Sequence, residues 1–499
     1  MPEQLIIAGE RRDAASGETF TVIEPATGAP LAEVAKAGPA DVDAALAAAT
    51  AAFADGRGAW ARTSATERGR VLHRVAELLR EREDLFATTE ARGAGHPIGD
   101  ARWEVGAAAG TFEYYAGAAN KHLGSVVPVQ DAGIDVVLRE PVGPVGLIVP
   151  WNFPLLIACW KLAPALACGN PVILKPASLT PLTALLLGDL LVDAGVPADQ
   201  VHVLPGPGGV IGDALVSDHR TAKISFTGET TTGASILKAS ADHIARVSLE
   251  LGGKSAAIVF ADANVAKAAA GAPMSVFGNA GQDCCAQSRI LVERAAYDEF
   301  LEVFEAATRA IRVGDPLRPE TEMGPLISEG QRRVARVRRD RLGGGRPTRL
   351  GRRGARRRRL LPDPGRGRRR HQRHAHRPGG DLRPGGVGAA LRLGGGGDPD
   401  RQRLGLQAVG LALDRVGHPG HPGRPIDPHR HPVGEHEPIG PVRAPFGGYK
   451  KSGRRRARDA GDGRLHRGQE RLLLRGGLSP TVADVAFDLP TDALGARWR

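Results

Sequence analysis

The 499-residue sequence predicts an α/β protein built on a largely parallel sheet. Three observations carry that expectation. From residue 1 to about 337, short apolar runs bounded by turn residues alternate with helix-length segments. Apolar residues make up 42% of the chain, enough for two or three cores at this length. Four cysteines (Cys159, Cys168, Cys284, Cys285) are too few for a disulfide framework and fit a reducing compartment. No uncharged apolar run reaches the ~18 residues that would span a bilayer. The Met-Pro-Glu-Gln start lacks a signal pattern, so a soluble cytoplasmic protein with no membrane partner is expected.

The elements follow in order. Val126 to Val129 and Ile134 to Arg139 flank Asp131-Ala-Gly133, which predicts a hairpin. The apolar run Gly146 to Val149 leads into Pro150-Trp151-Asn152-Phe153-Pro154, a rigid proline-bracketed loop. Val172 to Lys175 reads as a buried strand; Thr180 then offers an N-cap, Pro181 a first helical residue and Gly195 a stop. Val201 to Leu204 (strand), Gly209 to Ser217 (helix), Ala222 to Phe226 (strand) and Ala234 to Ile244 (helix) continue as βα units. No repeat at solenoid spacing is present.

The net charge of +12 raises nucleic acid as a partner, but the charge is concentrated in one place. Residues 338–434 hold 24 Arg and no Lys against 7 Asp and no Glu, a net +17, whereas the remaining chain carries 43 basic and 48 acidic residues. That window also lacks Asn, Ser, Cys, Met, Phe, Tyr and Trp, and about two thirds of it is Arg, Gly, Pro and His. Such a composition cannot bury enough apolar surface to offset chain entropy. A basic arm for nucleic acid is one reading; without aromatics it offers no base stacking, which argues against it.

Chemistry is concentrated in four places. Gly278-Asn-Ala-Gly-Gln-Asp-Cys284-Cys285 sets a thiol before the apolar strand Ile290-Leu-Val292, where a thiolate would be a covalent nucleophile; taken alone, Cys284 reads more readily as an inert buried thiol. Glu250 lies in an apolar strand before two glycines, where burial would raise its pKa and suit it to general-base work. The amide of Asn152 can be aimed at an oxyanion from its rigid loop. The strand-to-helix run Phe226-Thr-Gly228-Glu229-Thr-Thr-Thr-Gly233 offers backbone N–H groups to a pyrophosphate, with Lys175 at the end of another strand for a ribose hydroxyl.

Taken together, Pro-Trp-Asn-Phe-Pro at 150–154, Lys-Pro-Ala at 175–177, Phe-Thr-Gly at 226–228, Glu-Leu-Gly-Gly-Lys at 250–254, Gly-Gln-Asp-Cys at 281–284 and Pro-Phe-Gly-Gly-Tyr-Lys-Lys-Ser-Gly at 445–453 resemble the aldehyde dehydrogenase superfamily. The resemblance implies a Rossmann-type cofactor domain (1–120 and 141–250), an oligomerisation hairpin (121–140), and a catalytic domain (251–337, resumed at 435–453), in a homodimer or homotetramer. It implies NAD as cofactor, and oxidation of a small-molecule aldehyde to an acid through a cysteine thiohemiacetal and thioester. By position it makes Cys284 the nucleophile, Glu250 the general base, and Asn152 with the Cys284 N–H the oxyanion donors. Trp151, Lys175, Ser178, Gly228, Glu229, Gly233, Leu251 and Gly252 would line the cofactor and Phe446 the aldehyde site; no metal is implied. Ser178 stands where many NAD-preferring members carry Glu, which leaves NADP open. Glu229 puts a carboxylate where the family commonly has Ser.

The family's Glu-Ile-Phe-Gly-Pro-Val is absent as written. Yet His376 to Gly386 can be encoded by codons that, read one base later, yield Ile-Ala-Gln-Glu-Glu-Ile-Phe-Gly-Pro-Val-Val, and Asp400 to Leu411 and His466 to Leu473 yield family-like text on the same displacement. The expectation is that 338–434 and 454–499 are translated out of frame. The chain as written should then fail to fold natively there and should be unstable or inactive.

Overall fold

The computed structural model describes residues 2–127 and 134–333, together with the backbone of short strands at 391–393, 406–408 and 448–450 and of residues 452–454. Four strands open the chain: β1 (Leu5–Ile7), β2 (Glu10–Arg12), β3 (Thr19–Ile23) and β4 (Pro30–Ala35). Five helices follow: α1 (Pro39–Phe53), α2 (Ala59–Arg62), α3 (Ala65–Glu81), α4 (Glu83–Ala94) and α5 (Ile98–Ala118). The predicted hairpin is present as β5 (Ser125–Val127) paired antiparallel with β6 (Asp135–Val137); its tip, including Asp131, lies outside the described residues.

Successive βα units then build the main sheet: β7 (Val145–Ile148), α6 (Pro154–Ala167), β8 (Val172–Lys175), α7 (Leu182–Asp193), β9 (Val201–Val203), α8 (Asp213–Ser217), β10 (Lys223–Gly228), α9 (Thr230–Ala239) and β11 (Arg246–Leu251). A second layer holds β12 (Ala256–Val259), α10 (Val265–Phe277), β13 (Arg289–Glu293) and α11 (Tyr297–Ala310). Beyond it lie β14 (Leu391–Leu393), β15 (Leu406–Ala408), β16 (Gly448–Lys450) and β17 (Gly453–Arg454).

The large sheet runs β17-β11-β10-β7-β8-β9-β1-β2, with its five central strands parallel. Such strands are covered on both faces, and β8 accordingly buries all four of its residues. Its alternate side chains enter separate cores. Val172 and Leu174 pack with α3 to α7, while Ile173 packs with Val42 and Leu46 of α1 and Leu215 of α8. The smaller sheet pairs β12, β13 and β14 in parallel, and Phe300 and Phe304 of α11 close its core with Val265 and Val276 of α10.

Several elements depart from expectation. Thr180 does not cap α7: it closes a turn onto Ala177, its hydroxyl is buried without a hydrogen-bond partner, and Pro181 takes the capping position. Gly195 does end that helix, at φ +101°. The segment from Gly208 begins with a π turn before α8. Helix α9 starts at Thr230 and ends at Ala239, so the expected start at Ala234 and end at Ile244 are both late. The strand before it continues to Gly228, so the chain turns directly into the helix with no loop of its own. Within the Arg-rich window the described backbone is that of β14 and β15; the remainder of 338–434, and 455–499, lie outside the described residues. Among the described residues no helix is long and apolar enough to cross a membrane.

Candidate active site

Strand register assembles the site. Ile148 pairs with Lys175 on one side and Phe226 on the other, and Thr227 and Gly228 pair with Glu250 and Leu251. The carboxyl ends of β7, β8, β10 and β11 therefore align, and the segments that follow them (Trp151-Asn152, Pro176 to Ser178, Glu229 to Gly233 and Gly252-Gly253) share one edge. In parallel α/β sheets this edge is where ligands bind.

Lys175 is 4% exposed, its ammonium donates to Pro176 O at 2.9 Å, and burial pulls its pKa down to about 8. Ser178 donates to Gly206 O at 2.7 Å. Gly233 is not part of a loop: it lies in the first turn of α9, where a Cβ would stand 2.8 Å from Leu251 Cδ2. This close approach seats the helix on β11 and points its first N–H groups toward the edge of the sheet. Glu229 occupies the capping position of α9, and its side chain makes no capping hydrogen bond. Trp151 and Glu250 are half-buried, and Leu251 and Gly252 are buried. The expectation of a buried Glu250 is thus corrected. Its strand lies next to the edge strand β17, and only Leu249 and Leu251, on the other face, are buried in the core with Ile236.

Cys284 is delivered by an unusual turn. After α10, Asn279, Ala280 and Gly281 take φ of +50°, +53° and +75°. Two of these residues carry a Cβ, and the left-handed conformation costs such residues roughly 1–2 kcal/mol each. Amide groups hold the turn in place. Asn279 Nδ2 donates to Asn152 O (2.6 Å), Asn152 Nδ2 donates to Gln282 O (2.9 Å), and Gln282 Nε2 donates to Asn279 O (3.1 Å). Gln282 Oε1 accepts from Ile327 N (3.1 Å), and both Asn152 and Gln282 are 1% exposed. The cysteine is half-buried, and its carbonyl accepts from Gly253 N at 3.1 Å, which brings the Gly252-Gly253 segment beside the thiol.

The neighbouring thiol is chemically different. Cys285 N and Sγ both donate to Asp283 Oδ1, at 3.0 and 3.2 Å. A hydrogen bond with Cys284, burial and the Asp283 charge together push the Cys285 thiol far up, so it stays protonated.

The structure thus brings together Asn152, Cys284 and the Glu250 to Gly253 segment, with Lys175, Gly228 and Gly233 along the same edge. Phe446 lies outside the described residues. Sequence reasoning missed Asn279 and Gln282 as the residues that fix the thiol-bearing turn. The Gly278-Asn-Ala-Gly281 run was the available signal, since Asn and Gly are the residues that tolerate left-handed backbone.

The sequence profile described as the Aldehyde dehydrogenase family matches residues 12–341. Human retinal dehydrogenase 2 is 44% identical over 331 residues, which cover 66% of this chain and 64% of that protein. Human cytosolic 10-formyltetrahydrofolate dehydrogenase is 42% identical over 331 residues, 65% of this chain; the chain spans only 36% of that longer protein. Among solved structures, PnpE in complex with nicotinamide adenine dinucleotide is 45% identical with a TM-score of 0.66, over 68% of this chain and 69% of that one. The NAD+ complex of an aldehyde dehydrogenase from Bacillus cereus is 37% identical with a TM-score of 0.67, over 69% and 70%. With two thirds of its length matched and the thiol, amide and carboxylate on one edge of the sheet, this chain belongs to the aldehyde dehydrogenase family.

Proposed function

We propose that this chain descends from an enzyme that oxidises an aldehyde to a carboxylic acid with NAD or NADP, using Cys284 as nucleophile. The observation that carries this reading is the amide ring joining Asn152 to the turn before Cys284. It ties the loop that carries a donor amide to the turn that carries the thiol, which supports joint action of the two on a carbonyl. Cys284 Sγ adds to the aldehyde carbon, and Asn152 Nδ2 and the Cys284 N–H stabilise the resulting oxyanion. Glu250 takes a proton from the water that releases the acyl group from sulfur.

The residues present fit a dinucleotide. Lys175 has three donor positions and its described partner, Pro176 O, takes one; the N-terminus of α9 faces the same edge, and a glycine at 233 permits its close approach. Lys175, Ser178, Gly228, Glu229, Gly233, Leu251, Gly252 and Trp151 would hold the dinucleotide, whose nicotinamide supplies the hydride acceptor. Ser178 places no carboxylate against a 2′-phosphate, which supports admitting NADP beside NAD. Phe446 would line the aldehyde.

The family match ends at residue 341, where the Arg-rich window has just begun. This supports the reading that 338–434 and 454–499 are out of frame; resequencing the coding DNA across both junctions tests it, and an uninterrupted frame in fresh template would remove a sequencing error as the cause. Exposed Leu123, Val126, Ile134 and Leu138 on the hairpin support a homodimer or homotetramer for the intact lineage, and light scattering showing a monomer of the frame-restored chain would count against that. A cytoplasmic location is supported by the reduced cysteines. The decisive experiment is aldehyde-dependent NAD(P)H formation by the frame-restored chain, expected to vanish in Cys284→Ser; full turnover in that variant would remove the assigned nucleophile.

A further inference from the structure

Behind the Asn152 loop three titratable side chains are buried together and take no part in the chemistry above. Glu90 of α4, His96 between α4 and α5, and Glu104 of α5 are 1%, 2% and 1% exposed, and each offers an atom within 4.8 Å of the others. His96 Nδ1 is hydrogen-bonded to Glu104 Oε1, while Glu104 Oε2 is buried with no hydrogen-bond partner. Glu90 Oε1 accepts the Leu155 N–H at 3.0 Å. Leu155 lies in the first turn of α6, three residues beyond Asn152, where a helix has no internal acceptor for its amides. Phe153, between the two, sets its ring against the His96 imidazole with centroids 5.7 Å apart.

Two carboxylates in one dry site cannot both stay ionised without a cation beside them. The other titratable groups acting on this cluster are Asp100 of α5 and Cys159 of α6, and Thr183 of α7 hydrogen-bonds to Glu90. None of these is a cation, so among the described residues His96 is the counter-charge.

We propose that His96 is a positioning residue for the oxyanion loop: as an imidazolium set against Glu104 and Glu90, it lets Glu90 stay charged and grip the Leu155 amide, which fixes where α6 begins and where Asn152 sits. Burial opposes the charged imidazole, but the charge and hydrogen bond of Glu104 and the charge of Glu90 outweigh it and raise His96 to about 9. Burial and then the Glu104 charge raise Glu90 to about 7, against the opposing pull of His96, the Leu155 amide and Thr183. Glu90 is therefore ionised and His96 still charged only between about pH 7 and 9. Below that window the carboxyl is neutral; above it the counter-charge is gone.

The catalytic consequence rests on the oxyanion role assigned to Asn152, but the test does not. Hydrogen-exchange protection at the Leu155 amide in the full chain, corrected for the intrinsic pH dependence of exchange, should be bell-shaped. It should be highest between pH 7 and 9; below that window it should fall about fivefold as the charge-assisted hydrogen bond becomes a neutral one roughly half as strong, and above it protection should fall because loss of the His96 charge leaves two buried carboxylates facing each other. His96→Lys should carry the upper limb beyond pH 9, and His96→Gln should remove the maximum. A flat profile in the wild type, an unchanged upper limb in His96→Lys, or a loss shared equally by α10 and α11 would each overturn the proposal. The wild-type series and His96→Lys decide the matter even if His96→Gln fails to fold. Should the bell persist while Asn152→Ala leaves turnover of the frame-restored chain intact, the positioning stands and the oxyanion assignment fails.

Discussion

Replacing Gln282 by Ala should loosen the turn that carries Cys284, at a cost that can be worked from its contacts. The side chain accepts from Ile327 N and donates to Asn279 O, and at 1% exposure no water is placed to replace it. Truncation strands one buried amide, Ile327 N, worth about 1–3 kcal/mol when left unsatisfied, whereas Asn279 O keeps the backbone N–H of Gln282 at 3.0 Å. Small shifts toward solvent recover part of this, so a loss of about 1–2 kcal/mol is expected. The left-handed Asn279 and Ala280 lose a restraint at the same time, and they favour relaxation to ordinary backbone. Gln282→Glu with its carboxyl protonated keeps an acceptor for Ile327 N and an O–H for Asn279 O, so it should retain most of that stability at such a pH and lose it as the carboxyl ionises. Urea unfolding of the three chains, followed by fluorescence and by alkylation of Cys284, would measure both effects. The reasoning is refuted if Gln282→Ala shifts stability by less than about 0.5 kcal/mol, the range expected of an unimportant surface change.

Two other outcomes follow from the fold. His202 is fully buried, its Nδ1 accepts from Ala8 N at 3.1 Å, and burial lowers its pKa to about 4. A histidine whose folded pKa lies below the unfolded value of about 6.5 contributes stability that is present above pH 6.5 and lost as pH falls toward 4; here that amounts to about 3 kcal/mol. The stability difference between wild type and His202→Gln should therefore shrink over that interval, and a pH-independent difference would contradict it. At Gly324 a Cβ would stand 1.9 Å from Gly95 O, a backbone atom that cannot move aside alone. Gly324→Ala should cost about 1–3 kcal/mol by forcing that segment away from the residues beside His96, and an unchanged melting temperature would count against so close a contact.

The parallel sheet was legible because its strands are short, apolar and separated by helix-length segments; Val172 to Lys175 and Val201 to Val203 are found almost where the apolar runs place them. Cys284, Glu250 and Asn152 stand out as candidates for another reason: each sits in a local motif whose spacing survives in the linear text. Thr180 failed as a cap because an N-cap preference competes with burial, and the turn onto Ala177 won. The start of α9 was misplaced because Thr230 to Thr232 read as loop residues, although Gly233 against Leu251 lets the helix begin directly at the strand end.

The sequence alone therefore determined the fold class, the order of the βα units and the chemical types available at the site, since these depend on local periodicity and on neighbours along the chain. It also marked the break near residue 338, because composition needs no coordinates to be read. Tertiary structure decided what depends on distant residues meeting: the amide ring across Asn152, Asn279 and Gln282, the protonated state of Cys285 beside Asp283, and the Glu90, His96 and Glu104 cluster beneath the loop. Their physical basis is burial and through-space charge, quantities that belong to the packed molecule and have no counterpart in the spacing of its letters.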